Sequence, residues 1–271
     1  MAIAQIALPV AARQLFDYWV PDGLSIGAGD VVRVRLGTRR HHGVVVAVDA
    51  TSSFREQLQP IEALAGAPRV PADVMELAAF TSAYYHAAPG LAYALATPPA
   101  TRARRRAEPD VDVPPAPSAP YALNDAQAAA VRAIGASARA FTPMLLHGVT
   151  GSGKTDVYLA AAAHAIRDGG QVLVLVPEIN LTPQLEARVQ SALPGVRTAT
   201  LHSGLAAGAR RSNWDRAASG DARIVLATRL GVFVPLPDLA FVVVDEEHDD
   251  SYKQQDGVRY HARDLAVFRA R

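Results

Sequence analysis

PMLLHGVTGSGKTDVYLAAAAHAIR, residues 143–167, decides the fold. A short apolar run at 143–147 reads as a strand, the stretch 154–167 reads as a helix, and between them Gly148-Val149-Thr150-Gly151-Ser152-Gly153-Lys154-Thr155 fits GxxxxGK[ST]. Glycines at these spacings let backbone N–H groups turn inward around phosphates, and the helix amino terminus adds its partial positive charge. Gly148, Gly151, Ser152, Gly153, Lys154 and Thr155 are therefore candidate ATP-binding residues. Lys154 would reach the β and γ phosphates, and the Thr155 hydroxyl would ligate Mg²⁺. A glycine-rich turn without a ligand is the plain alternative, and lysine usage argues against it. Of 27 basic residues only Lys154 and Lys253 are lysines, so a chain that otherwise uses arginine keeps a compact ammonium here.

Downstream, short apolar runs alternate with helical patterns. QVLVLV (171–176), TATLH (198–202), RIVLAT (223–228) and AFVVVD (240–245) read as strands, and 124–138, 182–192 and 207–218 read as helices. Strands apolar on both faces and separated by helices imply a covered parallel sheet, in outline a RecA-like α/β lobe whose strand order is not readable. Asp245-Glu246-Glu247-His248 closes the most apolar strand. Ligands of parallel sheets lie at the carboxyl ends of strands, which should set these carboxylates beside the phosphate loop. Asp245 would hold Mg²⁺ through water, and Glu246 would orient and deprotonate the attacking water; a solvated acidic turn is the alternative.

Upstream, apolar and polar residues alternate through 2–8, 15–20, 30–36 and 42–48, which predicts a small β-barrel-like domain. A helix over about 73–87 would cap it with Val74, Leu77, Ala78, Tyr84 and Tyr85 inward. Residues 99–120 are rich in Pro, Ala and Arg and cannot bury enough apolar surface to fold. The expected organisation is a first domain at 1–98, a linker at 99–120 and an α/β lobe at 121–271.

With 271 residues and no cysteine, disulfides and thiolate zinc sites are excluded within the chain. No apolar run approaches the ~20 residues of a membrane span, and the amino terminus lacks a signal pattern, so a cytoplasmic protein without membrane contact is expected. A net charge of +1 decides nothing, because it conceals local clusters: Arg33, Arg35, Arg39 and Arg40 with His41 and His42, and Arg102, Arg104, Arg105 and Arg106. Each cluster reads equally as a solvated face.

The acidic box after a phosphate loop resembles superfamily 2 helicases. GVTGSGKTDVYL (148–159), VLVPEINLTPQ (174–184), LHSGL (201–205), ATRLGVFVPLPDL (227–239) and DEEHDDSYKQQDGVRYHARDLAV (245–267) together resemble the PriA replication restart helicase family. FDYWVPDGL (16–24) and GDVVRVRLG (29–37) resemble that family's 3′-end DNA-binding domain. The resemblance implies that Gln127 reads adenine, and that Ser251–Tyr260 is an aromatic-rich loop in which Tyr252 and Tyr260 stack on bases and Lys253 contacts a phosphate. It also implies that Phe16, Asp17, Tyr18 and Gly37 receive the terminal 3′ nucleotide; by composition alone FDY is an ordinary strand.

Two departures from the family stand out. A linker occupies the place of a winged-helix domain, and residue 271 precedes the second lobe, its arginine finger and the zinc module, where zinc alone is expected. The chain by itself is therefore expected to bind ATP and Mg²⁺ and to turn ATP over poorly. The implied parent activity is ATP-dependent 3′-to-5′ unwinding at stalled or abandoned forks, as a monomer, with forked and single-stranded DNA, single-strand binding protein and primosome proteins as partners. The other readings are a non-catalytic ATP-gated DNA-end binder and another superfamily 2 translocase.

Overall fold

The computed structural model describes residues 2–48, 52, 58–99, 122–137, 140–149, 151–178 and 182–271. Apart from Pro99, the expected linker lies outside the described residues, as does Thr150 of the phosphate loop. The chain divides into two compact units. One comprises Met1–Pro99, Phe233–Pro235 and Lys253–Leu265, and the other comprises Ala100–Val232, Leu236–Tyr252 and Ala266–Arg271.

In the first unit the alternating segments form β1 (Ile3–Ala7), β2 (Phe16–Trp19), β3 (Val31–Leu36), β4 (Arg39–Val48) and β5 (Ala63–Leu64). They make one antiparallel sheet in the order β2-β1-β4-β3-β5. Among the described residues the expected barrel is not closed by a continuous ladder. Its edges are stitched instead, since Trp19 N–H donates to the Gln59 carbonyl and Ile61 N–H donates to the Trp19 carbonyl, both at 3.1 Å. The curl buries Ala4, Ile6, Leu8, Tyr18, Val32, Val34, Val45 and Ile61 on the concave face. The other face packs Ala7, Val31 and Val44 against α1 (Ala72–Tyr84) and α2 (Pro89–Ala94), through Val74, Ala78 and Tyr93. Val74, Leu77 and Ala78 point inward as expected, whereas Tyr84 is exposed. Burying each such aliphatic side chain contributes roughly 1.5–3 kcal/mol.

In the second unit β6 (Gln171–Leu175), β7 (Thr198–Leu201), β8 (Ile224–Ala227) and β9 (Leu239–Val244) form a parallel sheet in the order β7-β8-β6-β9. The helices are α3 (Asp125–Ala136), α4 (Lys154–Arg167), α5 (Pro183–Ala192) and α6 (Ala207–Ala218); the residues of α7 (Ala262–Ala270) are divided between the two units. Tyr158, Leu159 and Ala162 of α4 and Val189 of α5 pack on Val172, Val174, Ile224 and Leu226. This is the covered parallel sheet of a RecA-like lobe. Buried Gln171 is fully used: its amide donates to the carbonyls of Ala217 and Ala222 and accepts from Asp238 N–H, which ties the sheet's lower edge to two loops.

One expected strand is missing from the ladder. Residues 143–147 have no strand assignment, and Met144 and Leu145 are exposed, the latter at 75%. β9 is an edge strand that pairs only with β6 among the described residues.

Candidate nucleotide and DNA sites

The phosphate loop enters α4 through Gly153, whose φ of 80° is left-handed and whose missing Cβ leaves room for the Gln127 amide. Gln127 closes a capping box on α3. Its backbone N–H donates to Asn124 Oδ1 and its Oε1 accepts from Asn124 N–H, both at 2.9 Å. Its Nε2 then donates to the Ser152 carbonyl at 2.9 Å, so the glutamine expected to read adenine is fastened to the phosphate loop.

Lys154 is the first residue of α4. Its ammonium donates to the Gly148 carbonyl at 2.9 Å and lies 3.9 Å from Glu246 Oε1. Lysine and acidic box, 92 positions apart, are thereby brought to one place at the carboxyl end of β9. Glu246 has φ 45°, a left-handed conformation that costs a non-glycine residue on the order of 1–3 kcal/mol. Its N–H donates to Asp245 Oδ1 at 3.0 Å, and its carboxylate is partly exposed.

Asp245 is more buried. Desolvation, with the Glu246 charge second, holds its carboxyl above the usual range. The Tyr158 hydroxyl stands 3.3 Å from Asp245 Oδ2 and also hydrogen-bonds the Thr155 side chain. One hydroxyl thus brackets both expected Mg²⁺ ligands. Among the described residues no group of three His, Cys, Asp or Glu could form a protein cage for a metal. Mg²⁺, however, is commonly held by one or two protein oxygens together with substrate phosphate and water, and a desolvated carboxylate beside a threonine hydroxyl suits it. Tyr158 was not singled out from sequence; its place three residues after Thr155, on the same helical face, is the signal that could have found it.

The loop after the acidic box departs from expectation. Tyr252 and Tyr260, expected to stack on bases, are both fully buried. The Tyr252 hydroxyl, its acidity weakened by desolvation, reaches the carbonyls of Asp245 at 2.6 Å and Leu175 at 2.9 Å. It therefore braces the strand ends that carry the acidic box. Tyr260 stacks edge-on against Phe233 with ring centroids 5.1 Å apart. Neither ring offers a face to a base. Lys253, expected on a phosphate, donates to the Arg259 carbonyl at 2.7 Å and lies 5.0 Å from the centroid of the Tyr85 ring. Tyr85 in turn accepts from His261 N–H at 3.2 Å. Tyr85 is a second residue whose role here was not foreseen.

At the expected 3′-end pocket, strand alternation divides the FDY triplet. Phe16 and Tyr18 face the concave core, and Asp17 faces the other way. Burial pushes the Tyr18 phenol up to about 12, and its hydroxyl donates to the Arg35 carbonyl at 2.6 Å. That bond joins β2 to the end of β3, two residues before Gly37. Gly37, at φ 59° with open space where a Cβ would be, makes the β3–β4 turn. The Tyr18–Arg35 bond brings β2 near the Gly37 turn, with the Tyr18 ring buried and Phe16 partly buried.

A 3′DNA-binding domain (3′BD) family model, that of PriA, matches residues 5–98, and a DEAD/DEAH box helicase model matches residues 124–270. Replication restart protein PriA of Rickettsia prowazekii is 32% identical over 278 aligned residues, covering 100% of this chain and 41% of that protein. The PriA of Haemophilus influenzae is 51% identical over 127 residues, 47% of this chain and 17% of its own length. That of Bacillus subtilis is 43% identical over 126 residues, 46% of this chain and 16% of its own. The chain therefore spans about two fifths of the length of the relative that it matches throughout. No described helix is long and apolar enough to cross a membrane.

Proposed function

The chain belongs to the DEAD/DEAH box helicases and carries a 3′DNA-binding domain of the PriA type, and from that premise we propose that it serves an ATP-dependent 3′-to-5′ DNA helicase. This motor recognises stalled or abandoned replication forks and begins primosome assembly, acting on forked and single-stranded DNA with single-strand binding protein and primosome proteins as partners. The observation that supports the reading is the 3.9 Å approach of Lys154 to Glu246, an ammonium of the glycine-rich loop beside a carboxylate of the acidic box.

In the proposed chemistry Lys154 and the backbone N–H groups of the loop hold the β and γ phosphates. Thr155 and Asp245 hold Mg²⁺, which supplies charge neutralisation at the transferred phosphoryl group. Glu246 takes the proton of the attacking water, and its strained backbone holds the carboxylate in place as that proton moves. The loop 251–260 relays DNA occupancy by way of Tyr252, which braces the Asp245 carbonyl, and Lys253.

The amino-terminal unit would read a DNA 3′ end through Asp17 and the Gly37 turn. A terminal nucleotide differs in its free 3′ hydroxyl, which a carboxylate accepts from, whereas a 3′ phosphate is repelled. The chain is expected to bind a fork with a free 3′-hydroxyl leading strand about 10-fold more tightly than the 3′-phosphorylated fork, the worth of one charge-assisted hydrogen bond. Asp17→Ala is expected to erase the difference. Equal anisotropy titrations for the two forks with the unmutated chain would remove the end-reading role.

A further inference from the structure

On the basic face of the first unit, β3 and β4 pair so that Arg35 stands opposite Arg40 and Arg33 opposite His42. Like charges directly across a ladder are destabilising. Glu62, immediately before β5, answers them. Its carboxylate accepts from Arg35 Nε at 2.8 Å, from Arg33 Nε at 3.1 Å and from Arg40 Nε at 3.1 Å. Its own N–H donates to the Arg33 carbonyl at 2.9 Å, which fixes its place beside β3. Hydrogen bonding from Arg35, first among several arginine contributions, holds its carboxyl below the usual range, so the group is an anion.

One carboxylate among three guanidinium groups leaves the cluster with two positive charges in excess (three minus one). Each arginine meets Glu62 through Nε, and the arginine side chains are 45%, 51% and 62% exposed for Arg33, Arg35 and Arg40, so the ends of the forks remain open to solvent. Glu62 offsets part of the repulsion between these arginines, but exposed ion pairs contribute little to stability, and among the described residues the net positive charge of the cluster stays unneutralised by the chain.

We propose that Arg33, Arg35 and Arg40 form a site for DNA backbone phosphate, and that Glu62 sits in it as a built-in stand-in for the phosphate oxyanion. The proposal rests on the reading of this unit as a DNA binder. Two carboxylate oxygens present guanidinium forks with the same paired acceptors as two phosphate oxygens. Being part of the chain, Glu62 competes at high effective concentration with every arriving phosphate. Its consequence is discrimination. Phosphate attraction adds to the binding of any DNA regardless of its end, and an internal competitor lowers that common term so that contacts made only at a 3′ terminus decide where the protein stays.

Glu62→Gln keeps the shape and one acceptor oxygen and removes the charge. Binding of a 3′-phosphorylated single-stranded oligonucleotide would be followed by anisotropy over a salt series, with thermal unfolding to check the fold. One further phosphate contact steepens the slope of log K against log salt by about 0.7, and at 50 mM salt this corresponds to binding about 5- to 10-fold tighter. Arg40→Gln should do the reverse and flatten the slope by a similar amount. Unchanged or weaker binding by folded Glu62→Gln, with the slope of the unmutated chain, would overturn the proposal while leaving end recognition standing. Absence of DNA binding by the unmutated chain at every salt concentration would instead overturn the DNA-binding reading on which it rests.

Discussion

Lys154→Ala is expected to weaken ATP binding about 10- to 100-fold, the worth of a charge-assisted hydrogen bond of roughly 1.5–3 kcal/mol. Among the described residues the ammonium meets the carbonyls of Gly148 and Val149 and lies near Glu246. The cost to stability should stay within about 1 kcal/mol, as for other partly exposed pairs. Lys154→Arg should not rescue binding, because a planar fork does not replace a compact ammonium inside a loop of this size. Isothermal titration with ATP and Mg²⁺ reads the effect, and affinity unchanged in the alanine variant would take Lys154 out of the phosphate site.

Glu246→Gln should behave oppositely in the full-length protein. A glutamine keeps the size and the hydrogen-bonding reach of the side chain but cannot accept the proton of water, so hydrolysis should fall by about 10²- to 10⁴-fold with ATP affinity retained. The burial of Asp245 sharpens the assignment. Asp245 is the desolvated carboxyl beside Tyr158, while the Glu246 carboxylate is partly exposed. Single-turnover hydrolysis at the unmutated rate in Glu246→Gln would move the base role elsewhere.

Both predictions rest on residues that local pattern exposes well. GVTGSGKT demands its loop and helix whatever surrounds it, and α4 begins at Lys154 as the motif requires. Helices α5 and α6 and strands β6 to β9 likewise follow from periodicity within a residue or two of their observed ends. Periodicity reports that a run is apolar and not whether a neighbouring strand exists to pair with it. QVLVL enters the sheet between β8 and β9, whereas PMLLH is in no strand among the described residues and leaves Met144 and Leu145 exposed.

Aromatic residues carried a similar ambiguity. Tyr252 and Tyr260 in a polar loop read as stacking platforms, but the hydroxyl of one reaches back to β6 and the ring of the other meets Phe233. Side-chain direction in FDY was recoverable from strand alternation alone, which sets Asp17 apart from its neighbours. The residues not foreseen, Tyr158, Tyr85 and Glu62, meet partners at separations of 87, 176 and 22 to 29 positions. Such meetings are fixed by tertiary packing, and of the three only Tyr158 has a local trace, its i,i+3 spacing from Thr155.

Strand displacement on a forked DNA by the full-length protein is the most direct measurement of the central claim. With ATP and Mg²⁺ present, the account predicts displacement of the strand met while moving 3′ to 5′, loss of that activity in Lys154→Ala, and loss of it in Glu246→Gln despite retained ATP binding. Displacement that proceeds without ATP, or with unchanged rate in both variants, would contradict the assignment of this lobe as the motor.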